Sequence, residues 1–155
     1  MQKYKYLLFF LDLHKLIIMN KTFTMIKPEA VEKNLTGEIL QKICQKGFNV
    51  IALKKTKLSV SQAKKFYDVH NERPFFNELI EYITSGPIIA VILEKDNAVL
   101  DFRNLIGSTD PNEAEEGTIR KMFAESKSKN AIHGSDSNEN ANIECDFFFS
   151  KTERF

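Results

Sequence analysis

An α+β fold is what this sequence predicts: a ferredoxin-like, split βαβ sandwich, its four-stranded antiparallel sheet carrying helices on one face plus additional helices. Three observations lead there. Short apolar runs of strand character alternate with amphipathic stretches in the order β-α-β-α-α-β-α-β, then α. One run, Ile88 to Leu93, is apolar at every position, as a central strand covered on both faces must be. Glycine and proline fall at the borders between runs, where they stop helices and strands.

Taken in order, Thr22-Phe23-Thr24-Met25-Ile26 is rich in β-branched and aromatic residues and reads as a buried strand, ended by Lys27-Pro28. Gly37 to Lys46 is an amphipathic helix with Ile39, Leu40, Ile43 and Cys44 on one face and Gly47 as its stop. Phe48 to Leu58 alternates as a second strand. Ser59 or Ser61 caps a short helix bearing Ala63, Phe66, Tyr67 and His70, which Arg73-Pro74 breaks before a further helix from Phe75 to Thr84. After the central strand, Asp96 or Asn97 caps a helix with Ala98, Val99, Phe102, Leu105 and Ile106 inward. Residues 108–130 form a long irregular segment, of the kind that in a compact domain usually carries function. A short fourth strand ends at His133, and a last helix runs from Ser137 to about Phe147.

The 155 residues suit one domain with a sizeable core, and 43% hydrophobic against 28% charged residues argues for a globular chain. A net charge of +1 gives no footprint for nucleic acid. Two cysteines, Cys44 and Cys145, have no metal-ligand spacing and are too sparse for a disulfide scaffold, which points to a reducing compartment. Residues 1–18 carry an apolar run broken by Asp12, His14 and Lys15, too short and charged to span a bilayer. They are expected to be an extension outside the domain, an upstream start read before Met19, leaving 19–155 as the domain.

The polar groups at strand ends and in loops are Lys27, Tyr67, Arg103, Thr109, Arg120, Asn130, His133 and Ser135. Taken alone, each has a plain structural reading: His133 as a turn residue, Arg103 as a solvated charge, Tyr67 as core. Together, three fixed cations, a hydroxyl and an imidazole suit a polyphosphate facing a nucleophile. Guanidinium forks bind phosphate oxygens bidentately, and a neutral imidazole nitrogen can attack phosphorus. No P-loop or kinase glycine-rich loop is present.

Lys27-Pro28, Arg73-Pro74-Phe75-Phe76, Ser85-Gly86-Pro87, Ile106-Gly107-x-Thr109-Asp110-Pro111, Gly117-Thr118-Ile119-Arg120 and Asn130-x-Ile132-His133-Gly134-Ser135-Asp136-Ser137 follow one another along the chain. In that order and spacing, from Thr22 to Phe149, the chain resembles the nucleoside diphosphate kinase family. The resemblance implies ping-pong transfer of a terminal phosphate between nucleoside tri- and diphosphates through a phosphohistidine at His133. It implies phosphate contacts from Lys27, Arg103, Thr109 and Arg120, ribose contacts from Lys27 and Asn130, and a base stacked on Phe75, worth about 1–3 kcal/mol. Tyr67 and Ser135 would fix the geometry and Glu144 would orient the imidazole, although it lies seven residues past Ser137, about 10 Å along an ideal helix. Magnesium would arrive on the nucleotide. The resemblance further implies a cytoplasmic homo-oligomer, tetramer or hexamer, with no membrane and no specific nucleic-acid partner; Pro111 sits in the loop the family uses at subunit contacts. Lys127 stands where family members often carry an apolar residue. The competing reading is a catalytically weak interaction or nucleic-acid-binding module on the same fold. An Arg120→Ala variant is expected to lose turnover with little change in thermal stability.

Overall fold

The structure, a computed structural model, describes residues 20–155, so the expectation about residues 1–18 lies outside the described residues. Four strands, β1 (Lys21–Ile26), β2 (Asn49–Thr56), β3 (Ile88–Glu94) and β4 (Ile132–Gly134), form one antiparallel sheet in the order β2-β3-β1-β4. This is the strand order that the split βαβ reading requires.

The unbroken apolar run of β3 has a simple cause. Its side chains alternate across the pleat, so Ile89, Val91 and Leu93 enter one core while Ile88, Ala90 and Ile92 enter another. Over the first face lie α2 (Thr36–Gln45), through Ile39 and Ile43, and α5 (Ala98–Ile106), through Phe102, Leu105 and Ile106. Over the second lie α3 (Val60–Phe66), α4 (Phe76–Thr84) and α7 (Asn138–Phe148), through Ala63, Ile80, Ile83, Cys145 and Phe148. The additional helices thus cover the face that the two crossover helices leave open. Among the described residues no helix is long and apolar enough to cross a membrane.

Capping follows the sequence closely at some ends and departs at others. Ser59 caps α3 in a reciprocal capping box with Gln62, and the Ser137 hydroxyl accepts from the Asn140 N–H at the start of α7. Asn97 precedes α5 in a left-handed conformation (φ 54°) and makes no side-chain cap bond, so the expected cap is absent there. Two short α-helices were not foreseen. Pro28 ends β1 as expected, yet it also opens α1 (Pro28–Glu32), because its fixed φ and missing N–H suit a first helical position. Within the irregular segment, the Thr118 hydroxyl caps α6 (Ile119–Phe123).

His133 lies in the middle of β4 rather than at its end, opposite Met25 of β1. Directly opposed residues share a face of the sheet, so the imidazole emerges on the side of α3, α4 and α7. The strand also packs closely: a Cβ on Gly134 would lie 2.9 Å from the Phe102 ring. Only glycine lets β4 approach α5 this nearly.

Candidate active site

His133 is one-fifth exposed and surrounded by aromatic rings, with centroids 5.5 Å from Phe66, 6.0 Å from Phe23 and 6.3 Å from Tyr67. Among the described residues, one side chain hydrogen-bonds the ring. Nε2 of His133 lies 3.0 Å from Oε1 of Glu144, whose other oxygen accepts the Ser135 hydroxyl at 2.5 Å. Ser135, fully buried, also accepts the Phe23 N–H at 3.2 Å. The carboxylate is therefore locked in place, and an Nε2–H donating to it leaves Nδ1 as the nitrogen with a free lone pair.

Glu144 reaches His133 because α7 folds back over β1. Phe148 stacks on Phe23 at 4.7 Å, and Ala141 and Cys145 are buried beneath the helix, which brings the intervening Glu144 over Ser135. The Tyr67 hydroxyl is buried without a hydrogen-bond partner, and burial together with the Glu144 charge holds its proton well above the ordinary range.

The buried cations gather around the lead into β4. Arg120, buried, donates to the Ile132 carbonyl and to the Gly107 carbonyl, each at 3.0 Å, which fixes its guanidinium one residue from His133. Burial and then the nearby charge of Arg103 lower it to about 10, so it stays charged at neutral pH. Lys27, also buried, donates from Nζ to Asn130 Oδ1 at 2.6 Å, and the Asn130 amide donates in turn to the Lys127 carbonyl at 2.9 Å. Burial first, and Arg120 second, bring Lys27 down from 10.5 to about 8, while the Glu29 carboxylate opposes them. Arg103 is exposed near Asp136, whose carboxyl is held low chiefly by a hydrogen bond from Asn140.

The remaining expected residues are peripheral. Thr109 is exposed in the loop after α5. Phe75 is half exposed, with its ring 5.9 Å from His70, which lies 6.4 Å from Tyr67, so a row of rings runs outward from His133. Lys127 and Lys129 are exposed, and Lys129 pairs only loosely with Glu125 at 3.7 Å. Two participants escaped the sequence reading. Glu29 and Tyr82 join in a hydrogen bond next to Lys27, and Glu29 also accepts the Ala131 N–H at 2.7 Å. The available signal was an acidic residue in the first turn after Pro28; nothing local marks Tyr82.

The family model for nucleoside diphosphate kinase matches residues 20–154. The chain belongs to the nucleoside diphosphate kinase family. It is 58% identical to the enzyme of that name from Prosthecochloris aestuarii, over 87% of this chain and 96% of the relative. It is 54% identical to that of Flavobacterium psychrophilum, over 88% and 98%. A solved nucleoside diphosphate kinase from Aquifex aeolicus superposes with a TM-score of 0.86 at 44% identity, covering 88% of this chain and 99% of that one. A Halobacterium salinarum nucleoside diphosphate kinase in complex with CDP gives 0.84 at 34%, covering 87% and 90%. The family's reaction is transfer of phosphate between nucleotides.

Proposed function

We propose that this chain moves the terminal phosphate of a nucleoside triphosphate to a nucleoside diphosphate through His133. One observation carries the reading: the imidazole's Nε2 is held by a carboxylate that is itself locked by Ser135, beside two buried cations. In the first half-reaction the Nδ1 lone pair attacks the terminal phosphorus, the bond to the bridging oxygen breaks, and the diphosphate leaves. Positive charge develops on the ring as the N–P bond forms, and Glu144 compensates it. In the second half, a terminal oxygen of the acceptor diphosphate attacks the same phosphorus and the N–P bond breaks.

Lys27, Arg103, Thr109 and Arg120 hold the phosphates in this proposal. Their positive field stabilises charge on the transferring oxygens, the main task in a loose phosphoryl-transfer transition state. Lys27 and Asn130 reach the ribose, and Phe75 offers its exposed face to the base. The cationic lining suits the phosphates, and magnesium would be carried in on them as part of the substrate. The homo-oligomer and the cytoplasmic setting belong to the same proposal, supported by the exposed apolar Leu53 and Phe155 and by two free thiols.

Incubation with ATP labelled at its terminal phosphate tests this directly. The protein is expected to acquire an acid-labile, alkali-stable label that added ADP removes. A protein that stays unlabelled would defeat the mechanism.

Lys27 supplies a second measurement. With its free-state value near 8, part of the Lys27 population is neutral between about pH 8 and 9, whereas phosphate oxygens favour the charged form. ADP binding in that range is expected to take up protons. Calorimetry in two buffers of different ionisation enthalpy measures the uptake; identical heats would show that Lys27 keeps its charge throughout.

A further inference from the structure

We infer that Glu29 and Tyr82 are positioning residues for the transfer: the Glu29 carboxylate, braced by the Tyr82 hydroxyl, holds the Asn130–Ala131–Ile132 turn that aims Lys27 and His133. The inference rests on the proposed roles of those two residues.

The turn is unusual in its backbone. Ala131 is fully buried and lies at φ 66°, the left-handed region where a Cβ is disfavoured. The residues around the start of α1 grip it from both ends. Its N–H donates to Glu29 Oε1 at 2.7 Å, and its carbonyl accepts the Lys27 N–H at 2.9 Å. Immediately beside it, the Ile132 N–H closes onto the Asn130 carbonyl at 2.8 Å.

The groups that would meet the substrate converge on this turn. Asn130 Oδ1 accepts the Lys27 ammonium, the Ile132 carbonyl accepts Arg120, and the His133 carbonyl accepts the Thr24 hydroxyl at 2.7 Å. Rotating Ala131 back to an ordinary conformation would move Asn130 against Lys27 and change where β4 delivers the imidazole.

Glu29 is buried and forms no ion pair among the described residues. Its two hydrogen bonds are instead spent on Ala131 and Tyr82. Tyr82, from α4, touches both partners: its hydroxyl donates to Glu29, and its ring centre lies 5.7 Å from the Lys27 ammonium. One carboxylate and one phenol thus tie α1, α4 and the lead into β4 together.

Single-turnover labelling of His133 by ATP separates aiming from mere folding, because the amplitude reports the folded fraction and the rate reports geometry. Glu29→Ala is expected to reach wild-type amplitude at a rate lower by about tenfold or more, the scale set by sub-ångström misplacement of reacting groups. Ala131→Gly alone should stay within about twofold of wild type, because glycine adopts φ > 0 freely. Added to Glu29→Ala, the same substitution should recover much of the lost rate, a coupling that independent sites would not show. Glu29→Ala labelled at the wild-type rate, or with reduced amplitude alone, would overturn the inference. So would the absence of any recovery in the double variant. Should Glu29→Ala not fold, Tyr82→Phe decides: slower labelling at full amplitude supports the positioning role, and a wild-type rate removes it. A wild type that takes no label would instead bring down the phosphohistidine reading itself.

Discussion

His133→Ala is expected to take up no acid-labile phosphate from labelled ATP, and nucleotide exchange should fall by about four orders of magnitude or more, the scale of losing a nucleophile. The size of the expected loss follows from the poverty of substitutes. The Tyr67 hydroxyl, though near the ring, holds its proton too tightly to act as a phenolate. Ser135 is buried and committed to Glu144 and Phe23. Glu144 remains as the one carboxylate in contact with the vacated position among the described residues, and an acyl phosphate formed there would be distinguished by its sensitivity to hydroxylamine. Such a label would name Glu144 as the acceptor and displace His133 from the mechanism. The fold should tolerate the change. The imidazole packs on Phe23 and Phe66 by its edges and makes one hydrogen bond, so a loss of about 1–2 kcal/mol is expected. For a chain of this size that is a melting shift of only a few degrees.

Much of this architecture was legible in advance because the large elements carry strong periodicities. The run from Ile88 to Leu93 announced a strand buried on both faces, and the two core clusters explain why no polar residue interrupts it. Short helices leave no such trace. In α1 and α6, five residues each, there is barely one turn to show a stripe, and both exist through a first-position proline or a threonine cap within a tertiary setting. Site residues were legible for a different reason: their types and collinear spacing resemble the family's. The sequence could not show how Glu144 returns to His133, since that depends on α7 packing over β1 through Phe148 and Phe23. Nor could it show Glu29 and Tyr82 meeting across 53 residues, or an alanine in the left-handed region just before β4. Backbone strain held by distant side chains has no local signature.

Arg120→Ala is expected to lose turnover and stability together, where the sequence alone led to an expectation of little change in thermal stability. The guanidinium is more than a phosphate ligand. It spans the carbonyls of Gly107 and Ile132, tying the loop after α5 to the strand that carries His133. Gly107 itself lies at φ 81° against Thr118, where a Cβ would fall 2.5 Å from the threonine hydroxyl, so this loop is tightly fitted before Arg120 is considered. Truncation leaves two carbonyls without their charged donor and opens space in a buried position. About 2–5 kcal/mol is the expected cost, and about 5–15 °C in melting temperature follows for a chain of this length. Turnover should fall by about 10²–10³, as when one preorganised donor to a developing charge is removed. Arg120→Lys separates the two roles. A lysine keeps the positive charge but cannot fork between both carbonyls, so it should recover part of the turnover and little of the stability. Calorimetric melting with and without ADP, beside steady-state rates, makes the comparison. An alanine variant that melts with the wild type would return Arg120 to a purely catalytic role; one that turns over normally would reduce it to a strut between loop and strand.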